Sequence, residues 1–340
     1  MAGGYNADFS QRDPFKNLTV LERAKDYKGD WTGLPEGVVA GDQKSDHSNF
    51  ILDGFVLNCE SRNYYKDEGN VVAMKAPTYP GKAFQGSSPN IKIRNCIITN
   101  PVGEGMYVAW QGKENEVSNC FIVNTFYAAI ECRSAQPGSE VAIRNNTIVY
   151  GWFYPSKGGA MGIFIGSQGA VTIENNIIAF MNTEGGESGF GVSNTFGNED
   201  TIMRNNVFFG CSGGYYKYMD SNRANLVVYK PEEFEDLNDE DYCEDFMLLE
   251  SSDNREENPD IKPDKSFATG FANFIASEPG KLNMDEMNEW RRSVGLPLQA
   301  EPGTARKNFG FAYPLEAVVP NLVSGIDGVG AKAGIKLEKY

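Results

Sequence analysis

A phrase built around asparagine recurs along the chain: IKIRNCIITN from Ile91, EVSNCFIVN from Glu116, VAIRNNTIVY from Val141, VTIENNIIAF from Val171 and TIMRNNVFFG from Thr201. A looser copy, FILDGFVLN, starts at Phe50. Aligning Asn95, Asn119, Asn145, Asn175 and Asn205 gives steps of 24, 26, 30 and 30 residues. Each step holds short β-branched runs separated by Asn and Gly, with no helical apolar spacing between them, so helical crossovers are absent. Strands that succeed one another in this way stack as parallel ladders in a solenoid, one repeat per coil.

Asparagine suits a sharp corner between two strands because it tolerates the left-handed backbone region, and its amide can bond the copies above and below. The five asparagines are therefore expected to form one structural column. Cys96 and Cys120 follow that corner in two neighbouring repeats, where later repeats have Asn146, Asn176 and Asn206. That shared column favours buried thiols over a disulfide. The six cysteines show no CxxC spacing and support neither a zinc ribbon nor a thioredoxin-type motif.

Composition removes whole classes of function. The 340 residues carry a formal charge of −15, which repels phosphate backbones, so nucleic acid is not an expected partner. No apolar run is long enough for a membrane span. The start, MAGGYNADFS, has neither a basic segment nor an apolar one, so no export signal is visible. The single histidine, His47, lies in the polar run KSDHSNF, where a turn position is the simpler role. Histidine triads and histidine-rich zinc sites fall away.

The repeat and its corners resemble the right-handed parallel β-helix superfamily, which includes pectate, alginate and chondroitin lyases, polygalacturonases and bacterial surface proteins. The opening GGYNADFSQRDP, Gly3 to Pro14, is similar to an N-terminal coil segment of secreted and outer-membrane members. The resemblance covers Gly3 to Gly210. It implies an all-β fold, a single-stranded right-handed parallel β-helix, with coils over 1–210. A loop-rich acidic insertion, a short helix and terminal coils over 211–340 are expected to cap the same domain. Within the second part, Glu232 to Glu257 carry thirteen acids and one base, which suits a solvated loop. LNMDEMNEWRRSVG has a helical pattern, with Asn283 or Asp285 as cap and Gly295 as stop. The resemblance also implies a polysaccharide or oligosaccharide partner, calcium as the accompanying ion, and an extracellular, periplasmic or cell-surface setting.

A packed solenoid leaves chemistry to its outward columns and loops. A second strand per coil is expected in NVVAMKA from Asn70, MYVAWQG from Met106, AAIECRS from Ala128, MGIFIGS from Met161 and FGVSNTF from Phe190. Period-two alternation points Val72, Val108, Ile130, Ile163 and Val192 inward. The outward wall then sets Tyr107 level with Ala129, and Glu131 level with Ala109, and presents Lys75, Tyr107, Glu131 and Arg133 as catalytic candidates, with Gln111 beside them. Gly162, Gly166 and Gly191 are expected to leave room above it. Preceding loops add Tyr64, Tyr65, Asp67, Glu68, Glu104, Tyr127, Trp152, Tyr154, Lys157 and Glu187, whose aromatic faces suit pyranose rings.

These groups fit three kinds of chemistry. In a uronate lyase, Arg133 neutralises the substrate carboxylate and Lys75 or Tyr107 removes the acidified proton. In an inverting hydrolase, Glu131 works with Glu104 or Glu187. In a non-catalytic glycan-binding or adhesive module, the wall only holds sugar. No lyase signature carries over residue by residue, and the paired Asp motifs of polygalacturonases are missing.

Overall fold

A computed structural model describes residues 1–22, 37–40, 49–59, 82–101, 104–133, 137–153, 159–166, 169–183, 188–195, 200–219, 225–238, 250–261 and 271–272. Among these, short strands stack into three sheets. Sheet I contains Ile51–Asp53, Lys92–Arg94, Asn115–Ser118, Glu140–Arg144, Ala170–Glu174, Thr201–Arg204 and Glu250–Ser252, all paired in parallel. Sheet II runs in parallel from Thr19–Leu21 to Arg255–Glu256 and includes Thr147–Phe153 and Ile177–Thr183. Sheet III holds Gly37–Ala40, Lys82–Pro89, Met106–Gln111, Ala128–Arg133, Ala160–Gly166, Gly189–Asn194 and Gly214–Met219 in parallel, closed by Asn225–Val228 in antiparallel. Each coil visits the sheets in that order.

The corner between sheets I and II is the asparagine column. Asn95, Asn119, Asn145, Asn175 and Asn205 have φ of 52, 51, 54, 57 and 49°, the left-handed values that asparagine tolerates. Neighbours bond through their amides: Asn119 Nδ2 donates to Asn95 Oδ1 at 2.7 Å, and Asn205 Nδ2 to Asn175 Oδ1 at 2.6 Å. The next residue turns into the core, and there Asn146, Asn176 and Asn206 form a second, buried ladder that the half-buried Asn254 continues. Cys96 and Cys120 sit at the head of that ladder as buried free thiols. Their sulfurs approach backbone carbonyls, Cys96 Sγ that of Arg94 at 3.1 Å and Cys120 Sγ that of Ser118 at 3.3 Å.

Between sheets II and III the chain turns through a second left-handed column: Asn100, Asn124, Tyr150, Phe180 and Gly210, with φ of 56–61°. The amides stack at the start, Asn124 Nδ2 donating to Asn100 Oδ1 at 2.8 Å. The rings of Tyr150 and Phe180 then stack with centroids 4.8 Å apart. Loops of unequal length leave this corner and reach sheet III, and they carry Glu104 and Tyr127 to its outer face.

The core is a set of like-with-like columns. Leu52, Ile93, Val117, Ile143, Ile173 and Met203 follow one another in register through sheet I, all fully buried. Ile173→Ala should lower the unfolding free energy by about 2–5 kcal/mol, because neighbouring coils cannot collapse into the gap. Thr195→Ala, on the outer side of sheet III, should change it by about 0.5 kcal/mol or less. Equal urea midpoints for the two variants would mean that inside and outside are assigned wrongly.

The ladder continues beyond Gly210, into the acidic run that the sequence reading gave to a loop. After the antiparallel pair and a 3₁₀ segment, Pro231–Asn238, the chain returns to add Glu250–Ser252 to sheet I and Arg255–Glu256 to sheet II. The corner between them is Asp253, at φ 55°, followed by Asn254. SSDNRE is thus one more copy of the repeat, set in the acidic run that was expected to be loop throughout. The N-terminal segment lies on the opposite end, with Gly3 N donating to Asp53 O at 2.7 Å. His47, the helical pattern over 282–295 and the tail from 313 lie outside the described residues.

Candidate active site

Sheet III presents one central outward column: Gln85, Tyr107, Glu131, Phe164 and Ser193, each in register with the next. Tyr107 faces outward as expected but stands beside Glu131, two positions away from its expected partner Ala129. A shift of two leaves every side chain on its original face, so alternation alone cannot detect it. The strand before Met106–Gln111 is Lys82–Pro89, where the sequence pattern favoured 70–76. Its Gly, Ser and Pro content resembles a turn.

Glu131 is fully buried although it belongs to an outward column. Glu104, from the preceding loop, is brought within hydrogen-bonding reach of it. Arg133 Nε lies 3.2 Å from Glu131 Oε1, and about half of the arginine side chain remains exposed. Neither Glu131 oxygen receives a well-aligned hydrogen bond from a described N–H or hydroxyl donor. Burial, followed by the charge and hydrogen bond of Glu104, pushes the Glu131 carboxyl up to about 8, against the partial opposition of Arg133 and Lys82. Glu131 therefore keeps its proton at neutral pH, as expected where two carboxyls share one site.

Lys82 joins this group without having been expected. Its Nζ is 3.8 Å from Glu104 Oε2, 3.3 Å from Gln85 Oε1 and 4.1 Å from the centre of the Tyr107 ring. Nothing in KAFQGSSP marks it, because it lies on the strand that was not expected. Burial acts to lower the Arg133 pKa, but Glu131 and the Tyr107 hydroxyl beside it raise it overall. Tyr127, at φ 69°, packs its ring 5.0 Å from Phe153 and 6.1 Å from Phe164. Burial first, and then Glu131 and Glu104, push its hydroxyl up to about 12, which makes it a proton donor in hydrogen bonds and a poor base.

The structure thus brings Tyr107, Glu131, Arg133, Glu104 and Tyr127 together and adds Lys82. Gln111 stands further along, its Nε2 donating to Ser87 Oγ at 3.1 Å. Trp152 is buried in sheet II, its ring 4.9 Å from that of Phe126, and offers no platform to a sugar. Lys75, Tyr64, Tyr65, Asp67, Glu68, Tyr154, Lys157 and Glu187 lie outside the described residues.

The glycines do not open the wall as expected. Ala129 and Ile130 both belong to the core, so alternation slips there by one residue. A side chain on Gly162 would meet Ile178, and one on Gly191 would meet Phe208, both core residues. Gly166 makes room for the Phe164 ring.

Residues 83–230 match the family described as "Right handed beta helix region". The fold is a right-handed parallel β-helix. No curated protein and no solved structure matches the chain. The β-helix has no described helix long and apolar enough to cross a membrane. Among the described residues, no three His, Cys, Asp or Glu side chains converge on a metal position. Among the described residues of this wall, the Glu104–Glu131 pair holds a proton and is flanked by Lys82 and Arg133, so this donor set does not fit calcium.

The same pair is too close for glycoside hydrolysis. Acid and nucleophile or base stand about 5–9.5 Å apart in glycosidases, leaving space for the anomeric carbon or a water. Glu104 and Glu131 touch instead, and Glu131 is closed off from solvent.

Proposed function

We propose that this wall binds a uronate-containing polysaccharide and cleaves it by β-elimination, at an extracellular, periplasmic or cell-surface site where such polymers occur. The observation that carries the reading is a half-exposed Arg133 held by a buried carboxyl that keeps its own proton. Glu131 fixes the guanidinium without cancelling its charge. A carboxylate docked on Arg133 loses part of its charge, which acidifies the adjoining C–H and stabilises the enolate-like intermediate.

Tyr107 is the group placed to move the proton. Its oxygen lies against Arg133 and its ring under Lys82. With its own proton released to solvent beforehand, Tyr107 acts as the phenolate: its oxygen takes the proton from the carbon next to the carboxylate, the C–H electron pair becomes the new C=C bond, and the glycosidic C–O bond breaks. The departing oxygen then takes a proton, which Tyr107 returns. Gln85, bonded to Lys82, keeps that ammonium over the ring.

Arg133→Ala should lower kcat by about 10²–10³, the usual loss when one fixed donor to a developing oxyanion is removed. Tyr107→Phe should act in the same direction, while thermal unfolding of both variants stays near that of the parent because outward positions add little to the core. Unchanged elimination by Arg133→Ala would place the chemistry elsewhere.

A further inference from the structure

The central column does not end at Ser193, which is in register with Lys217 on the next strand. Three strand steps of about 4.8 Å put Lys217 about 14 Å from Glu131 along the solenoid axis. Its ammonium lies 4.9 Å from the centre of the Phe190 ring. Partial burial draws its pKa down, and no carboxylate among the described residues pairs with it.

One coil below, Ser193 is fully buried, yet its hydroxyl has no hydrogen-bond partner among the described residues. The Thr195 hydroxyl, two residues along the same strand end, is likewise buried and without one. Buried hydroxyls are ordinarily paired, so two orphans on the strand next to that of an unpaired, partly desolvated cation form a set that an anionic acceptor would complete.

We propose that Lys217, with Ser193 and Thr195, is a second anion subsite, which takes a carboxylate of the same acidic glycan several sugars from the one on Arg133. The subsite deepens the elimination reading and rests on it. Its position makes the bound polymer cross the coils along the solenoid axis, over the Phe164 ring. The recognised ligand is a uronate-rich segment long enough to reach both cations. A single uronate or a dimer engages Arg133 alone.

Calorimetric titration of the full chain with dimers and hexamers of galacturonate, mannuronate and glucuronate tests this directly. For an oligomer series that the parent binds, Lys217→Gln should weaken the hexamer about tenfold or more, the loss of one charged contact, and leave the dimer unchanged. Lys217→Arg should restore most of the hexamer affinity, Ser193→Ala should weaken the hexamer less, and Arg133→Ala should weaken both lengths. Hexamer binding unaffected by Lys217→Gln, or dimer and hexamer weakened equally, would overturn the subsite and leave the elimination reading standing. Binding of no oligomer by the folded parent would overturn both.

Discussion

Asn176→Leu should cost about 3–6 kcal/mol of stability, although leucine has the same branched heavy-atom skeleton and the site is in the core. Asn176 Nδ2 donates to Ile143 O at 2.9 Å and to Asn206 Oδ1 at 3.0 Å. Its Oδ1 accepts from the Asn146 backbone N at 2.9 Å and from Asn146 Nδ2 at 3.0 Å. Leucine would leave a buried carbonyl, a buried backbone N–H and part of a buried amide unpaired, each costing about 1–3 kcal/mol. Because the ladder joins successive coils, the loss falls on their cooperation as well as on one site. Asn175→Gly, one residue away, removes only a corner amide at a φ that glycine adopts freely, and should stay within about 1 kcal/mol. Urea unfolding of the two variants measures the contrast, and equal midpoints would show that the buried ladder is not a main support of the stack.

The second large effect depends on pH. The Glu131 carboxyl titrates from its ordinary 4.5 up to about 8 once buried against Glu104. In the folded state it therefore holds a proton over a range in which the unfolded chain has released it. Its contribution to stability is complete below about pH 4.5 and is lost as pH rises through about 8. At about 1.4 kcal/mol per unit, the full loss is on the order of 5 kcal/mol. Glu131→Gln imitates the protonated carboxyl at every pH, so it should match the parent near pH 5 and exceed it by several kcal/mol near pH 9. Chemical unfolding at the two pH values checks this, and a difference of the same size at both would show that Glu131 is not the titrating group. The variant should also extend activity to higher pH, since ionised Glu131 would neutralise Arg133 in the parent.

The corners were the most legible part of the chain, because a left-handed turn repeated at one place per coil leaves asparagine in the sequence. Glu131 and Arg133 were legible as outward residues for a similar reason, period-two alternation within a single strand. What joins strands was harder to see. Tyr107 was placed two positions from its true neighbour, since such a slip preserves every facing. Lys82 was missed because Lys82–Pro89 lacks the apolar alternation of a strand, and the partner strands supply the hydrogen bonds that hold it. Lys217 was missed because the repeat phrase fades after Gly210 while sheet III continues. The final coil was hidden by composition, since the SSDNRE corner stands in a run dominated by acids. Glu104 was named as a partner of Glu131 across a substrate, but their direct contact was not legible, because it depends on how a loop folds back over the wall.

The most direct test of the account is to incubate the protein with a panel of uronate polysaccharides while following ultraviolet absorbance of unsaturated sugar and release of reducing ends together. Both signals should rise in step with at least one polymer, and both should be lost in Arg133→Ala with the fold intact. Reducing ends without unsaturated product would contradict the account in favour of hydrolysis, and glycan binding with neither signal would make the wall a non-catalytic module.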